Sequence, residues 1–328
     1  MVMVDYDWSV YDRDWMGYPP AKQAELLVDS LELYGDPVAM AWYPDGTLPP
    51  HLEEHIYDGP LRLMHCQFMM RSRFRLEKYI LDGTKSRPVV GEAPVCNGDG
   101  YVGLAPIIEG TKHAAWNSMH PPKRGRKAEP RIYGTKAASM RNLVNDYTII
   151  PNEYRYLAIA PLSDCPFDPD IVVLFGNPKQ MMYASRAVQW QSGITPKSRT
   201  GPGTCSSSWA EAYMTGEPRY TLGCFGVFSV MAMNPNHVAL SIPSEMMPQM
   251  ANTLENWKKR GRELFYEEPH DEEREYVLGP EDAKYVKADL FKEDYVSWKE
   301  RLDEPYKTWE ERRKEKGLVT PEKKHGVC

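Results

Sequence analysis

The chain has 328 residues, 42% of them hydrophobic and 26% charged, with a formal net charge of −6. That length is enough for one large core or two modest ones, and the acidic balance argues against general nucleic-acid binding. No apolar run approaches the ~20 residues that span a bilayer, so neither nucleic acid nor membrane is expected as a partner.

Residues 1–21 read as an irregular arm, rich in Trp, Tyr and Asp and stopped by Pro19-Pro20. The arm has neither a basic nor an apolar leader segment, and a cytoplasmic location is the expectation. Lys22 to Tyr34 reads as an amphipathic helix on Leu26, Leu27, Leu31 and Leu33, with Gly35 as its stop. Val38 to Tyr43 reads as a strand closed by Pro44-Asp45-Gly46. A long helical pattern then runs from Leu61 to Leu81, with Arg71, Arg73 and Arg75 interleaved among its apolar residues.

Around Cys96 the glycines Gly98, Gly100 and Gly103 make the backbone permissive and able to aim N–H groups at an anion. This Gly-Asp-Gly-x-x-Gly is weak as a dinucleotide signature, because no clear strand leads into it. Residues 112–141 are markedly basic and read as a surface loop, or as a lid that collects a carboxylated or phosphorylated substrate. Tyr154 to Ala160 and Asp170 to Gly176 read as strands, the second continuously apolar and so central. Asn177-Pro178 opens a helix over Lys179 to Gln191. Phe225 to Met233 and Val238 to Pro243 read as further strands, and residues 251–328 as a charged helical extension. Trp257, Phe265, Tyr276, Tyr285, Tyr295, Trp298 and Trp309 could staple that extension to the body or to a second subunit, so a homo-oligomer is expected.

Six cysteines in such a chain suggest thiols or metal ligands before disulfides. Cys165 and Cys328 read as small buried hydrophobes. The other four form a pattern: Cys66 on a helix and Cys96-Asn97-Gly98 in a turn, then Cys205 at a helix start and Cys224-Phe225-Gly226 in a turn. The pairing suggests a mixed α/β fold, a mixed sheet with flanking helices, built from two similar halves within a single core domain over 22–250.

In order, the Gly35-Asp36-Pro37-Val38-Ala39 strand, the Cys66 helix, the Cys96 turn and the Val172-Val173-Leu174-Phe175 strand before Pro178 resemble a known family. So do the Cys205 helix, Leu222-Gly223-Cys224 and Ile242-Pro243-Ser244. It is the domain-of-unknown-function 169 family, also labelled ArCR, of anaerobic bacteria and archaea. The resemblance covers roughly residues 22–250. It implies that Cys66, Cys96, Cys205 and Cys224 match the family's cysteine pattern. The chain departs from the expected polar or basic residue after the last turn, with Phe225-Gly226-Val227-Phe228.

Four thiolates suit a [4Fe–4S] cluster or a tetrahedral zinc. Widely spaced ligands near glycine N–H groups favour the cluster over the compact knuckles of structural zinc. Such a cluster carries electrons or offers one open iron as a Lewis acid. With three cysteine ligands, Cys66 is the weakest of the four and His65 beside it a substitute. Asp99, His113 and Glu211 are the acid–base groups in the neighbourhood. The expectation is an iron–sulfur oxidoreductase, lyase or hydratase, working with a small anionic substrate or an electron carrier. The alternative is an accessory protein that binds a metal or a tetrapyrrole in a pocket lined by some of its 17 Met and 20 Tyr residues.

Overall fold

The computed structural model describes residues 18–44, 46–58, 64–85, 98–104, 135, 137–138, 141, 145–151, 153–199, 203–229, 231, 233–259 and 309–318. The N-terminal arm, nearly all of the basic 112–141 stretch, Cys96, Cys328, and Phe265 to Trp298 of the extension lie outside those residues.

In chain order the elements are α1 (Pro20–Leu31), β1 (Val38–Pro44), α2 (His65–Arg75), β2 (Tyr79–Asp82), α3 (Gly98–Tyr101), β3 (Tyr154–Pro161), β4 (Ile171–Gly176) and α4 (Pro178–Ser192). There follow β5 (Lys197–Ser198), a π-helical turn (Cys205–Ala210) that continues as α5 (Glu211–Thr215), β6 (Arg219–Thr221), α6 (Phe225–Ser229), β7 (Val238–Pro243), α7 (Met247–Lys259) and α8 (Trp309–Glu315).

The strands form a seven-stranded sheet in the order β2-β3-β1-β4-β7-β6-β5. Neighbours run antiparallel except β5 and β6, which are parallel. The fold is thus mixed α/β, and its strands lie in one sheet. The continuously apolar β4 is the middle strand, and all six of its residues are buried. Helices α1, α4 and α7 pack on one another, with α4 on β4 and β7. Helix α2 lies against β1, β2 and β3, while the π-helical turn lies against β6 and β7.

The start of α4 follows its sequence signals. The Asn177 side chain accepts the Gln180 N–H at 3.0 Å, and Gln180 Oε1 accepts the Asn177 N–H at 2.9 Å. Pro178 fills the first turn and Gly193 ends the helix at φ +67°.

Two segments correct the sequence reading. The helix expected over Leu61–Leu81 stops at Arg75, because Leu76 turns left-handed at φ +57°. Tyr79-Ile80-Leu81 then peels off as an edge strand on β3, where an aromatic, a β-branched residue and a leucine in sequence suit a pleated, buried edge. The strand expected over Phe225–Met233 is instead the short α6 followed by coil. Buried Val227 and Met231 stand four apart, which is helical spacing. Strands β5 and β6, of two and three residues, are too short to show a period in the sequence.

The interleaved arginines of α2 include one deep in the core. Arg73 lies between the rings of Phe74 and Phe175, at 4.6 and 5.0 Å, and donates to the carbonyls of Tyr34 and Phe175. Helix α8 docks on the same end of the molecule. The Trp309 ring packs 4.9 Å from Tyr34, and buried Arg313 donates to buried Asp36, which also accepts from Ser163. Trp257 is buried in α7 beside Tyr183 and Trp190. Of the aromatic staples expected in the extension, these two tryptophans therefore pack on the body.

Candidate metal centre

Cys66 is the second residue of α2 and is 2% exposed. The backbone N–H groups of Cys66 and Gln67 lie beside its sulfur and ease negative charge there, although that of Gln67 also donates to the Met64 carbonyl at 2.9 Å. Burial nevertheless pushes the thiol well above its ordinary value, and the negative ends of Asp99 and Cys224 add to the rise. Cys66 and Cys224, far apart in sequence, therefore lie within electrostatic range of each other.

Cys224 is half-buried and leads directly into α6, where its carbonyl accepts the Phe228 N–H at 3.2 Å. The turn before it needs Gly223, which sits at φ +96°; a Cβ there would stand 2.7 Å from the Phe228 ring. Cys205 opens the π-helical turn and is 3% exposed. Isolated π turns inside helices recur at functional sites. This one is held by its serines: Ser206 exchanges hydrogen bonds with the Thr148 backbone at 2.8 Å, and Ser208 pairs with Ser241 at 2.7 Å.

The three elements meet through side chains the sequence did not connect. The His65 ring, at the start of α2, stands edge-on to Trp209 of the π-helical turn with centroids 5.1 Å apart. Its Nδ1 lies 2.6 Å from Oδ1 of Asp99 in α3, and the same oxygen accepts the His65 backbone N–H at 3.1 Å. His65 Nε2, Thr204 Oγ1, Ser207 Oγ and Trp209 Nε1 are buried without hydrogen-bond partners among the described residues.

Of the four predicted cysteines, then, Cys66 and Cys224 lie within electrostatic range of each other. Cys205 sits on the turn that touches Cys66's neighbour His65, and Cys96 lies outside the described residues. None of Cys66, Cys205 and Cys224 is in a disulfide. Among the described residues no three His, Cys, Asp or Glu side chains gather closely enough to form a metal-ligating group. The donors nonetheless suit a soft metal: thiols with backbone N–H groups at the sulfur, and beside them a buried imidazole nitrogen with an open valence.

The remaining sequence candidates fall elsewhere. Glu211 is taken up by Arg219, whose Nε donates to it at 2.9 Å in the protein interior. His113 lies outside the described residues. Cys165 donates to the Phe167 carbonyl at 3.0 Å, and burial pushes its thiol up to about 12, as befits a small packed side chain.

A model of the family described as uncharacterised ArCR, domain of unknown function 169, matches residues 26–253. The chain belongs to the ArCR family. It is also similar to the uncharacterised protein MJ0308 of Methanocaldococcus jannaschii, at 29% identity over 105 residues. That stretch is 30% of this chain and 44% of the archaeal one, so the chain spans less than half of that relative. No solved structure matches this ArCR chain. The matched span takes in β1 to β7 and all four patterned cysteines. Among the described residues, no helix is long and apolar enough to cross a membrane.

Proposed function

We propose that this ArCR protein holds an iron–sulfur cluster, most simply [4Fe–4S], where α2, α3, the π-helical turn and the Cys224 turn meet. Its ligands would be Cys66, Cys96, Cys205 and Cys224. The observation that supports the reading is that Cys66 and Cys224 feel each other's charge across a long sequence separation, at a buried sulfur that backbone N–H groups ease. Cys96 is compatible: it precedes Gly98 by two positions, a reach of at most ~7 Å, and α3 packs on both α2 and the π-helical turn.

When bound through four cysteines such a cluster supplies one-electron transfer, and through three an open iron that acts as a Lewis acid. The chain's own residues contribute burial, which keeps water from the sulfurs, and N–H groups that stabilise thiolate charge. The reading is of a redox or cluster-assisted enzyme in the cytoplasm of an anaerobe. The basic 112–141 stretch is its support for a small anionic substrate, and a second copy of the chain is the expected partner.

Protein purified without oxygen tests this through its iron and sulfide content and its visible spectrum. About four irons and four sulfides are expected, lost in Cys96→Ser and Cys224→Ser and retained in Cys165→Ser. A colourless wild type without iron or sulfide would overturn the reading. Sharp macrocycle bands in place of iron would replace it with tetrapyrrole binding by an accessory protein, and one zinc per chain with a structural metal.

A further inference from the structure

His65 is 0% exposed and is held from two sides. Asp99 Oδ1 takes its Nδ1 at 2.6 Å and its backbone N–H at 3.1 Å. The Trp209 ring meets it edge-on, at an interplanar angle of 89°. A carboxylate at Nδ1 sets a proton on that nitrogen, so in the neutral imidazole the free lone pair is on Nε2. That nitrogen is buried and has no partner among the described residues. Leaving a buried acceptor unmatched costs about 1–3 kcal/mol. The indole Nε1 of Trp209 is a donor in the adjoining ring, and it too is unpartnered, so the two rings do not satisfy each other.

We infer that His65 is itself a ligand of the proposed centre, binding through Nε2, with Asp99 as the residue that positions the ring. This rests on the proposed cluster and gives it a nitrogen donor in place of one of the four thiolates, since a four-iron cluster offers four corners. A carboxylate behind a ligating histidine is how proteins set the tautomer and raise the basicity of the ligand. Successive helix residues point about 100° apart. His65 and Cys66 would therefore reach one small ion poorly, but could take separate corners of a polynuclear cluster. The arrangement selects iron–sulfur over a single zinc.

The test uses the full chain reconstituted without oxygen from ferrous iron and sulfide, with its histidines labelled with ¹⁵N. Pulsed EPR of the dithionite-reduced protein reads the nitrogen coupling directly. A strong histidine coupling is expected in the wild type and its loss in His65→Gln, with iron still present. His65→Cys should lower the reduction potential, since a histidine ligand raises it relative to cysteine. Asp99→Asn should weaken iron retention about 10–100-fold and alter the coupling.

If the wild type takes up no iron, the cluster reading falls and this inference with it. If iron is bound and depends on the cysteines but no histidine coupling is seen, only the inference falls. A coupling that persists in His65→Gln overturns it as well. Should that variant fail to fold, an unchanged coupling in Asp99→Asn does the same.

Discussion

Replacing Arg313 with methionine removes the cation from a carboxylate that has little else. Asp36 and Arg313 are each 1% exposed, and Ser163 is the other side chain whose hydrogen bond to Asp36 stays in place. Removing one partner of a buried pair typically costs about 3–5 kcal/mol, because the remaining charge is stranded. The methionine also gives up the stacking of the guanidinium 5.0 Å over Trp309. If α8 undocks instead, the cost becomes the exposure of that tryptophan side chain, about 1.5–3 kcal/mol from apolar area alone. The two routes together predict a loss of about 1.5–5 kcal/mol in urea unfolding at neutral pH.

The double variant Asp36→Leu/Arg313→Met should recover most of it, since apolar replacement of both partners is often neutral. Burial already pushes the Asp36 carboxyl up, and the Arg313 charge works against that push. Without Arg313 the rise is opposed by Ser163 and, more weakly, by Trp309. A carboxyl raised in the folded state loses stability as pH climbs through its folded value. The deficit of Arg313→Met should therefore shrink as the pH is lowered towards the ordinary carboxyl range near 4. A single-variant loss below about 1 kcal/mol, or one indifferent to pH, would place the pair with exposed ion pairs and refute the reasoning.

Gly223→Ala should cost about 1–2 kcal/mol from the left-handed backbone alone. It should also reduce iron content, because the turn that presents Cys224 must shift to clear Phe228 and Val227; equal stability and iron content would show that the turn tolerates a side chain. Burial works to raise the Asp82 carboxyl, but the Arg155 guanidinium and the hydroxyl and N–H of Thr84 hold it below its ordinary value. Its contribution is present above the unfolded carboxyl value and fades as pH falls through the lower folded one. Asp82→Asn should be less stable at pH 7 and show a flatter decline below about pH 4, and superimposable acid limbs for the two proteins would contradict this.

Strands β1, β3, β4 and β7 and helix α4 were legible in the sequence because each carries a long apolar run or a complete set of end signals. The segment from Leu61 to Leu81 misled because its apolar residues continue past Arg75, and nothing local announces that Leu76 will turn left-handed. Cys66 could be picked out by its place on a helix and Cys224 by its glycine neighbours. The partnership of His65 with Asp99 could not, since it depends on α3 packing against the start of α2. Both residues were visible as chemistry, and the fold alone joins them. The π-helical turn has no pattern of its own in Cys205-Ser206-Ser207-Ser208-Trp209, where the hydroxyl bonds to Thr148 and Ser241 are tertiary.

The contact between Asp36 and Arg313 also sets a timetable for synthesis. The two residues are 277 positions apart, so at about 5–20 residues per second the ribosome needs roughly 14–55 s to supply the arginine after the aspartate. Throughout that interval the entry to β1 carries a carboxylate that the finished protein buries. Until α8 arrives, the nascent chain must keep that corner open to water or hold it protonated. The last described helix is thus what closes the first strand's end of the sheet, and complete burial at Asp36 marks a chain whose translation has passed residue 313.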